Sequence, residues 1–277
     1  MPGRYETSAA TERKWQRLVS SSCAADCSQV PEAHALYRQV LASQPDGSVV
    51  IAAHGFLVNL QHLLNSTADK YSALSGVELV RKKVKKIAVM GGQYPRSYPV
   101  GTEHHTEWNC GGGCVGPVGC PGTPPKRCTC PWSSFSSAFV TEHWPNEIPM
   151  VFSGFELGSR INTGTRLLKG QDCPASVLAN PCRQAFADFS AVTNITSRQS
   201  WDSVTSLFAV RGPQAFETAS QAGRNLVNAT DGSDVWSTDG AAAGVRQSYL
   251  ILNETTGVAA LENAIDDLIC AKPSSWQ

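Results

Sequence analysis

The chain of 277 residues carries no net charge: its 23 basic residues balance 23 acidic ones. A global field that would recruit nucleic acid or an anionic membrane is therefore missing. No run of about 18 apolar residues occurs, so no membrane-spanning helix is expected. The amino terminus, Met1-Pro2-Gly3-Arg4-Tyr5-Glu6-Thr7, lacks the apolar centre of a secretory leader. There is no Gly-x-Ser-x-Gly, which removes the strand–turn–helix elbow that exposes a nucleophilic serine. Neither Gly-x-Gly-x-x-Gly nor a phosphate-binding P-loop appears, which weakens dehydrogenase and kinase readings. His54, His104, His105 and His143 show no metal-binding helical spacing. The one basic run, Arg81-Lys82-Lys83-Val84-Lys85-Lys86, reads as the solvated approach to a buried strand.

What is present describes a globular protein. The apolar fraction is 42% and the charged fraction 17%, and 277 residues suffice for one large domain with a full core or for two small domains. Ten cysteines are many for a chain of this size, and five of them fall between Cys110 and Cys130 among Gly and Pro. A stretch so poor in apolar residues cannot build a core, so disulfides are its expected source of order. Zinc is the alternative, but Cys-x3-Cys, Cys-x5-Cys and Cys-x-Cys are not paired structural knuckles. Cys23 with Cys27, and Cys173 with Cys182, read as two short-range pairs. Sequons at Asn65, Asn194, Asn228 and Asn253 favour passage through a secretory pathway.

Strands alternate with helices along the chain. Helical spacing marks residues 33–42, 56–64, 71–84, 133–144, 202–210, 213–222 and 258–269. Runs rich in β-branched residues mark strands over 48–53, 87–90 and 149–153, and 235–252 reads as a hairpin. This order predicts an α/β fold: a single domain with a mostly parallel central sheet flanked by helices. Residues 1–32 read as an irregular N-terminal segment and 33–277 as the domain, with 110–131 as a cysteine-rich insertion. The long loop over 91–131 calls for function or covalent bracing.

Several residues could carry chemistry. The strand Lys86-Ile87-Ala88-Val89-Met90 runs into Gly91-Gly92, and Glu107-Trp108-Asn109 follows in the loop. Side chains at i and i+2 of an extended segment share a side, so Glu107 and Asn109 can grip one small polar ligand. Ligands of open α/β sheets sit beyond the carboxyl ends of strands, where this loop lies. The plainer reading makes both residues local partners of the backbone. Met90 serves equally as a core filler. Asp202, after Trp201, is either an ordinary helix cap or a carboxylate that ligates a hard cation.

These segments, in this order, resemble the inosine/uridine-preferring nucleoside hydrolase family. His54-Gly55-Phe56-Leu57-Val58-Asn59-Leu60 is similar to the family's Gly-x-Leu-Thr-Asn-Leu turn, and Val89-Met90-Gly91-Gly92 to its Met-Gly-Gly strand end. Glu107-Trp108-Asn109 matches its Glu-Phe-Asn, and Ile148-Pro149-Met150-Val151-Phe152-Ser153-Gly154 resembles the strand that follows. Ser200-Trp201-Asp202-Ser203 stands in the place of its His-Asp-Pro. The resemblance runs from about Ala33 to the end and implies a nucleoside-hydrolase-like fold. It implies hydrolysis of the N-glycosidic bond of ribonucleosides, to ribose and base, by a water held on calcium. Asp202 would be a calcium ligand with the Val58 carbonyl. Glu107 and Asn109 would bond the sugar hydroxyls, Met90 would pack on the sugar, and Trp201 would face the base. The implied partner is a small-molecule nucleoside, with no nucleic acid or membrane, and homo-oligomerisation stays open.

Two departures qualify this. The family's opening strand ends in an aspartate cluster, Asp-x-Asp-x-x-x-Asp-Asp, that supplies most calcium ligands and the general base, and no such cluster occurs here. Trp201 replaces a histidine that in some members is suspected of protonating the leaving base, and an indole cannot do that. The missing cluster and the missing leader both belong at the amino terminus, so the expectation is a chain lacking the first strand or two of a longer secreted precursor. Its catalytic residues are then unknown, its calcium site incomplete and its activity alone poor. The alternative is a catalytically silent, secreted sugar- or nucleoside-binding protein of the same fold. A third reading is a disulfide-rich interaction module built on Cys110–Cys130.

Overall fold

The computed structural model describes residues 31–95, 109–110, 131–170, 173, 181–213, 216–218, 222–239 and 244–271. Glu107 and most of the cysteine-rich insertion lie outside the described residues, as do Cys23 and Cys27.

The centre is a five-stranded sheet in the order β1 (Val49–Ala53), β2 (Val84–Met90), β3 (Met150–Ser153), β9 (Gln247–Leu252) and β6 (Phe216–Thr218). The first four are parallel, and β6 pairs antiparallel with β9 at the edge. Alternate side chains serve opposite faces, as the strand repeat of two requires. Ile51, Ala53, Ile87, Val89, Met150 and Phe152 enter one apolar core. Ala88, Val151, Leu250 and Leu252 enter the other. Both faces are buried, which is why the central strands read as continuous apolar runs.

On the first face lie α1 (Ala33–Ser43), α2 (Val58–Asn65), α3 (Gly76–Lys83) and α4 (Pro131–His143). Helix α3 starts on a capping box: Ser75 accepts the Glu78 N–H and the Glu78 carboxylate accepts the Ser75 N–H. Arg38 of α1 is only 1% exposed. It holds Asp69 in an ion pair at 2.8 Å and donates to the carbonyls of Ser72 and Leu74. That contact keeps the Asp69 carboxyl at about 2, mainly through the Arg38 hydrogen bond.

The second face is covered by α8 (Trp201–Arg211) and α9 (Gly257–Cys270). Short elements fix their approach: α5 (Phe155–Gly158), α6 (Thr165–Lys169), α7 (Pro181–Thr193) and the ladder of β4 (Asn162–Thr163) with β5 (Arg198–Gln199). No helix among the described residues is long and apolar enough to cross a membrane.

Three expectations are corrected. Residues 216–218, expected within a helix over 213–222, form a strand because they pair with Leu250–Leu252. Residues 235–252 do not fold back on themselves. Instead β8 (Asp234–Ser237) pairs with β7 (Arg224–Val227), and β9 joins β3 in the central sheet. Cys173 bonds Cys270 rather than Cys182, closing a separation of 97 residues.

Candidate functional site

Strands β1, β2 and β3 end side by side. Ala53 is opposite Val89, and Met90 is opposite Ser153. His54, Gly91 and Gly154 therefore follow at one edge of the molecule, where the backbone leaves the sheet. Helix α8 begins across this edge. The Trp201 indole N–H donates to the Phe155 carbonyl at 3.0 Å, and the two rings stack with centroids 5.5 Å apart. One residue on, an Asp202 carboxylate oxygen lies 3.6 Å from His54 Nδ1. The start of α8 thus touches the residue after β1 and a residue just past β3, with the end of β2 between them.

The local sequence accounts for this placement. Ser200 N–H donates to the carbonyls of Gly158 and Ile161, and Ser200 Oγ meets Thr163 Oγ1 at 2.6 Å. Gly158 has no side chain to spare: a Cβ there would strike the Trp201 ring and its Cα. Close approach of α5 and α8 therefore requires glycine.

Each expected site residue except Glu107 has a place among the described residues. Met90 is buried at the end of β2. Asn109 is buried beside it, its amide donating to the Met90 carbonyl at 3.0 Å with Met90 Sδ 2.9 Å away. Trp201 and Asp202 open α8. Val58 opens α2, a few residues beyond His54. Met90, Asn109, Trp201 and Asp202 thus gather around the strand ends, and Glu107 lies outside the described residues.

The calcium set does not fit this geometry. Asp202 has its carboxylate turned to an imidazole, and the side chain is 67% exposed. Val58 sits in the first turn of a helix, where its carbonyl points along the axis into the hydrogen-bond ladder. Among the described residues no three His, Cys, Asp or Glu side chains converge as metal ligands. A calcium ion asks for about six to eight oxygens. Asp266 and Asp267 are engaged elsewhere, on the Gly164 N–H and on Arg166.

His54 also meets Ser206, one turn along α8, through Nε2 at 2.9 Å. Beside this trio a groove of about 540 Å³ runs between α8 and α9, lined by Leu207, Val210 and Leu268 among others. A second hollow of about 320 Å³ lies on the other flank of Asp202, against Phe186, Arg198 and Trp201.

Two carboxylates at the strand ends escaped the sequence reading. Glu156 accepts the Tyr94 N–H at 3.1 Å. Burial pushes its carboxyl up to about 7, and the charge of Asp234 adds to the rise. Asp234, 1% exposed, accepts the Gln93 N–H. The available signal was positional: Glu156 follows a buried strand and the Gly154 turn by two residues.

No protein-family model matches the chain, and no curated protein matches it by sequence. Solved structures do. A plant nucleoside hydrolase is similar with a TM-score of 0.52 and 14% identity, over 87% of this chain and 67% of that one. The inosine-uridine preferring nucleoside hydrolase of Bacillus anthracis gives 0.55 and 14%, over 90% and 70%. The purine-preferring ribonucleoside hydrolase of Gardnerella vaginalis gives 0.55 and 13%, over 87% and 66%. The chain has a nucleoside-hydrolase-like fold, and it spans about two thirds of the length of these structures.

Proposed function

We propose that this chain binds ribonucleosides at the carboxyl ends of β1, β2 and β3, and that its chemistry is hydrolysis of their N-glycosidic bond. The supporting observation is the gathering of Met90, Asn109, Trp201 and Asp202 around three adjacent strand ends within a nucleoside-hydrolase-like fold. Met90 offers an apolar wall to the pentose. Asn109, with Glu107 two residues before it, offers polar groups to the sugar hydroxyls. Trp201 offers an aromatic edge to the base. In the reaction, water attacks the anomeric carbon, the C–N bond breaks and the base leaves with a proton. Because the sequence holds no Asp-x-Asp-x-x-x-Asp-Asp cluster, turnover by this chain alone is slow relative to binding.

A second reading is favoured by one observation: His54 already engages the Asp202 carboxylate. In that reading the protein is a catalytically silent nucleoside- or sugar-binding protein. Residues 33–277 form its single domain in either case. We also infer passage through a secretory pathway, supported by the Cys173–Cys270 disulfide and by exposed sequon asparagines at 194 and 228.

Two assays on the full chain separate the readings. Calorimetric titration with inosine, uridine and ribose measures binding, and reducing-sugar release with and without added calcium measures turnover. Saturable binding with ribose release supports the hydrolase, and binding without release supports the silent protein. Absence of binding to all three ligands overturns both.

A further inference from the structure

The turn after β2 is held at nearly every residue. Gly91 N–H donates to Ser153, and the Gly92 carbonyl accepts the Phe155 N–H at 2.9 Å. Gln93 N–H is held by Asp234 at 3.3 Å and Tyr94 N–H by Glu156 at 3.1 Å. The Pro95 carbonyl accepts the Trp236 N–H at 3.1 Å. Gly92 has φ +79°, and a Cβ there would run into the Tyr94 hydroxyl and Asp234 Oδ2, so only glycine fits. The Tyr94 ring stacks on Tyr249 at 4.7 Å and meets the edge of Trp236 at 5.8 Å. Its hydroxyl donates to the Gly91 carbonyl and accepts from Asn225.

Consecutive backbone N–H groups are thus taken by two acids from different parts of the chain, one after β3 and one on β8. Burying two carboxylates near each other is costly, and a turn could be packed with apolar groups instead. What this arrangement supplies is direction. The turn begins at Met90, whose carbonyl holds the Asn109 amide at 3.0 Å.

We propose that Glu156 and Asp234 are positioning residues: a carboxylate clamp that fixes the Gly91–Pro95 turn and, through it, sets Met90 and Asn109 for a nucleoside. The role in ligand binding rests on the function proposed above, whereas the clamp itself does not.

The clamp carries its own readout. Glu156 titrates at about 7, raised by burial and by Asp234, while the N–H groups of Tyr94 and of Glu156 itself oppose the rise. Asp234 on β8 is the charged side chain acting on Glu156 among the described residues. Burial favours the neutral carboxyl in the closed turn, and the neutral group still accepts the Tyr94 N–H, so the turn is held more firmly below neutrality than above it.

The test uses the full chain and the variants Glu156→Gln, Glu156→Ala and Asp234→Asn. Near-ultraviolet circular dichroism, which reports the packed Tyr94, Trp236 and Tyr249, and the inosine Kd are followed between about pH 5.5 and 8.5. In the wild type the dichroism changes with a midpoint near 7, and inosine binds about threefold more weakly at the alkaline end. Glu156→Gln, which keeps an acceptor for Tyr94, folds and flattens both curves. Glu156→Ala and Asp234→Asn weaken binding across the range. A flat dichroism curve in the wild type, or an unchanged one in Glu156→Gln, overturns the clamp. If inosine fails to bind the wild type, the function proposed above falls, and the dichroism pair still decides whether the clamp exists.

Discussion

The Trp201 indole N–H donates to the Phe155 carbonyl at 3.0 Å, which ties the first residue of α8 to the chain just past β3. The next residue, Asp202, reaches His54 just past β1. One helix start therefore spans three strand ends, and the candidate site depends on that span. Trp201→Phe keeps the ring stack and loses the hydrogen bond, at a cost of about 1 kcal/mol. Trp201→Ala loses both, at a cost of about 2–3 kcal/mol for a half-buried indole, and lowers nucleoside affinity. Urea unfolding of both variants checks the two steps. Equal destabilisation by the two would refute the assignment.

Glu156 links stability to pH in a defined direction. Its folded value of about 7 lies above the ordinary 4.5. The neutral form is favoured by folding, so this group's contribution is fully present below about pH 4.5 and is lost as pH rises through about 7. Ionised, the buried carboxylate costs on the order of 3 kcal/mol. Glu156→Gln should therefore gain on the wild type by about 2–3 kcal/mol between pH 5 and pH 8 in urea unfolding. A constant difference across that window would show that Glu156 titrates normally.

The Cys173–Cys270 bridge joins the end of α9 to the chain before α7. Closing a loop of 97 residues limits the unfolded chain strongly, and the loop-entropy estimate is about 4.7 kcal/mol, from which native-state strain subtracts. Cys270→Ser should lower stability by about 3–4 kcal/mol, with little further loss when dithiothreitol is added. Mass spectrometry of a non-reduced digest should recover the 173–270 peptide pair. Recovery of a 173–182 pair would restore the sequence expectation.

Asn194 is exposed, with φ 58°, and Asn228 is exposed in the β7–β8 turn, its side-chain oxygen accepting the Thr230 N–H at 2.9 Å. Expressed through a eukaryotic secretory route, the chain should carry glycans at both positions. Site-resolved peptide mass spectrometry after enzymatic deglycosylation reads the result. Unmodified asparagine at both would count against secretion.

Much of the fold is legible in the sequence because its central strands are buried on both faces. Val49–Ala53 and Met150–Ser153 stand out as β-branched or apolar runs, and Trp201–Arg211 and Gly257–Cys270 nearly match their expected spans. Phe216–Thr218 was illegible because its strand state comes from the Leu250–Leu252 partner, far along the chain. The segment after Val235 shows an alternation that does not name its partner, so β8 could not be assigned to β7 nor β9 to β3 in advance. At the candidate site, an ordered set of motifs pointed to Met90, Asn109, Trp201 and Asp202, whose binding roles are the proposal made above. It did not point to Glu156 or Asp234. Their character comes from burial around the Gly92 turn, which no local spacing encodes.

The central claim is that the ends of β1, β2 and β3 hold a pentose. Saturation-transfer difference NMR on inosine mixed with the full chain tests it most directly. The account predicts the strongest transfer at the ribose protons, reduced in Met90→Ala and in Trp201→Ala. Transfer confined to the base, or a pattern unchanged in both variants, would contradict it.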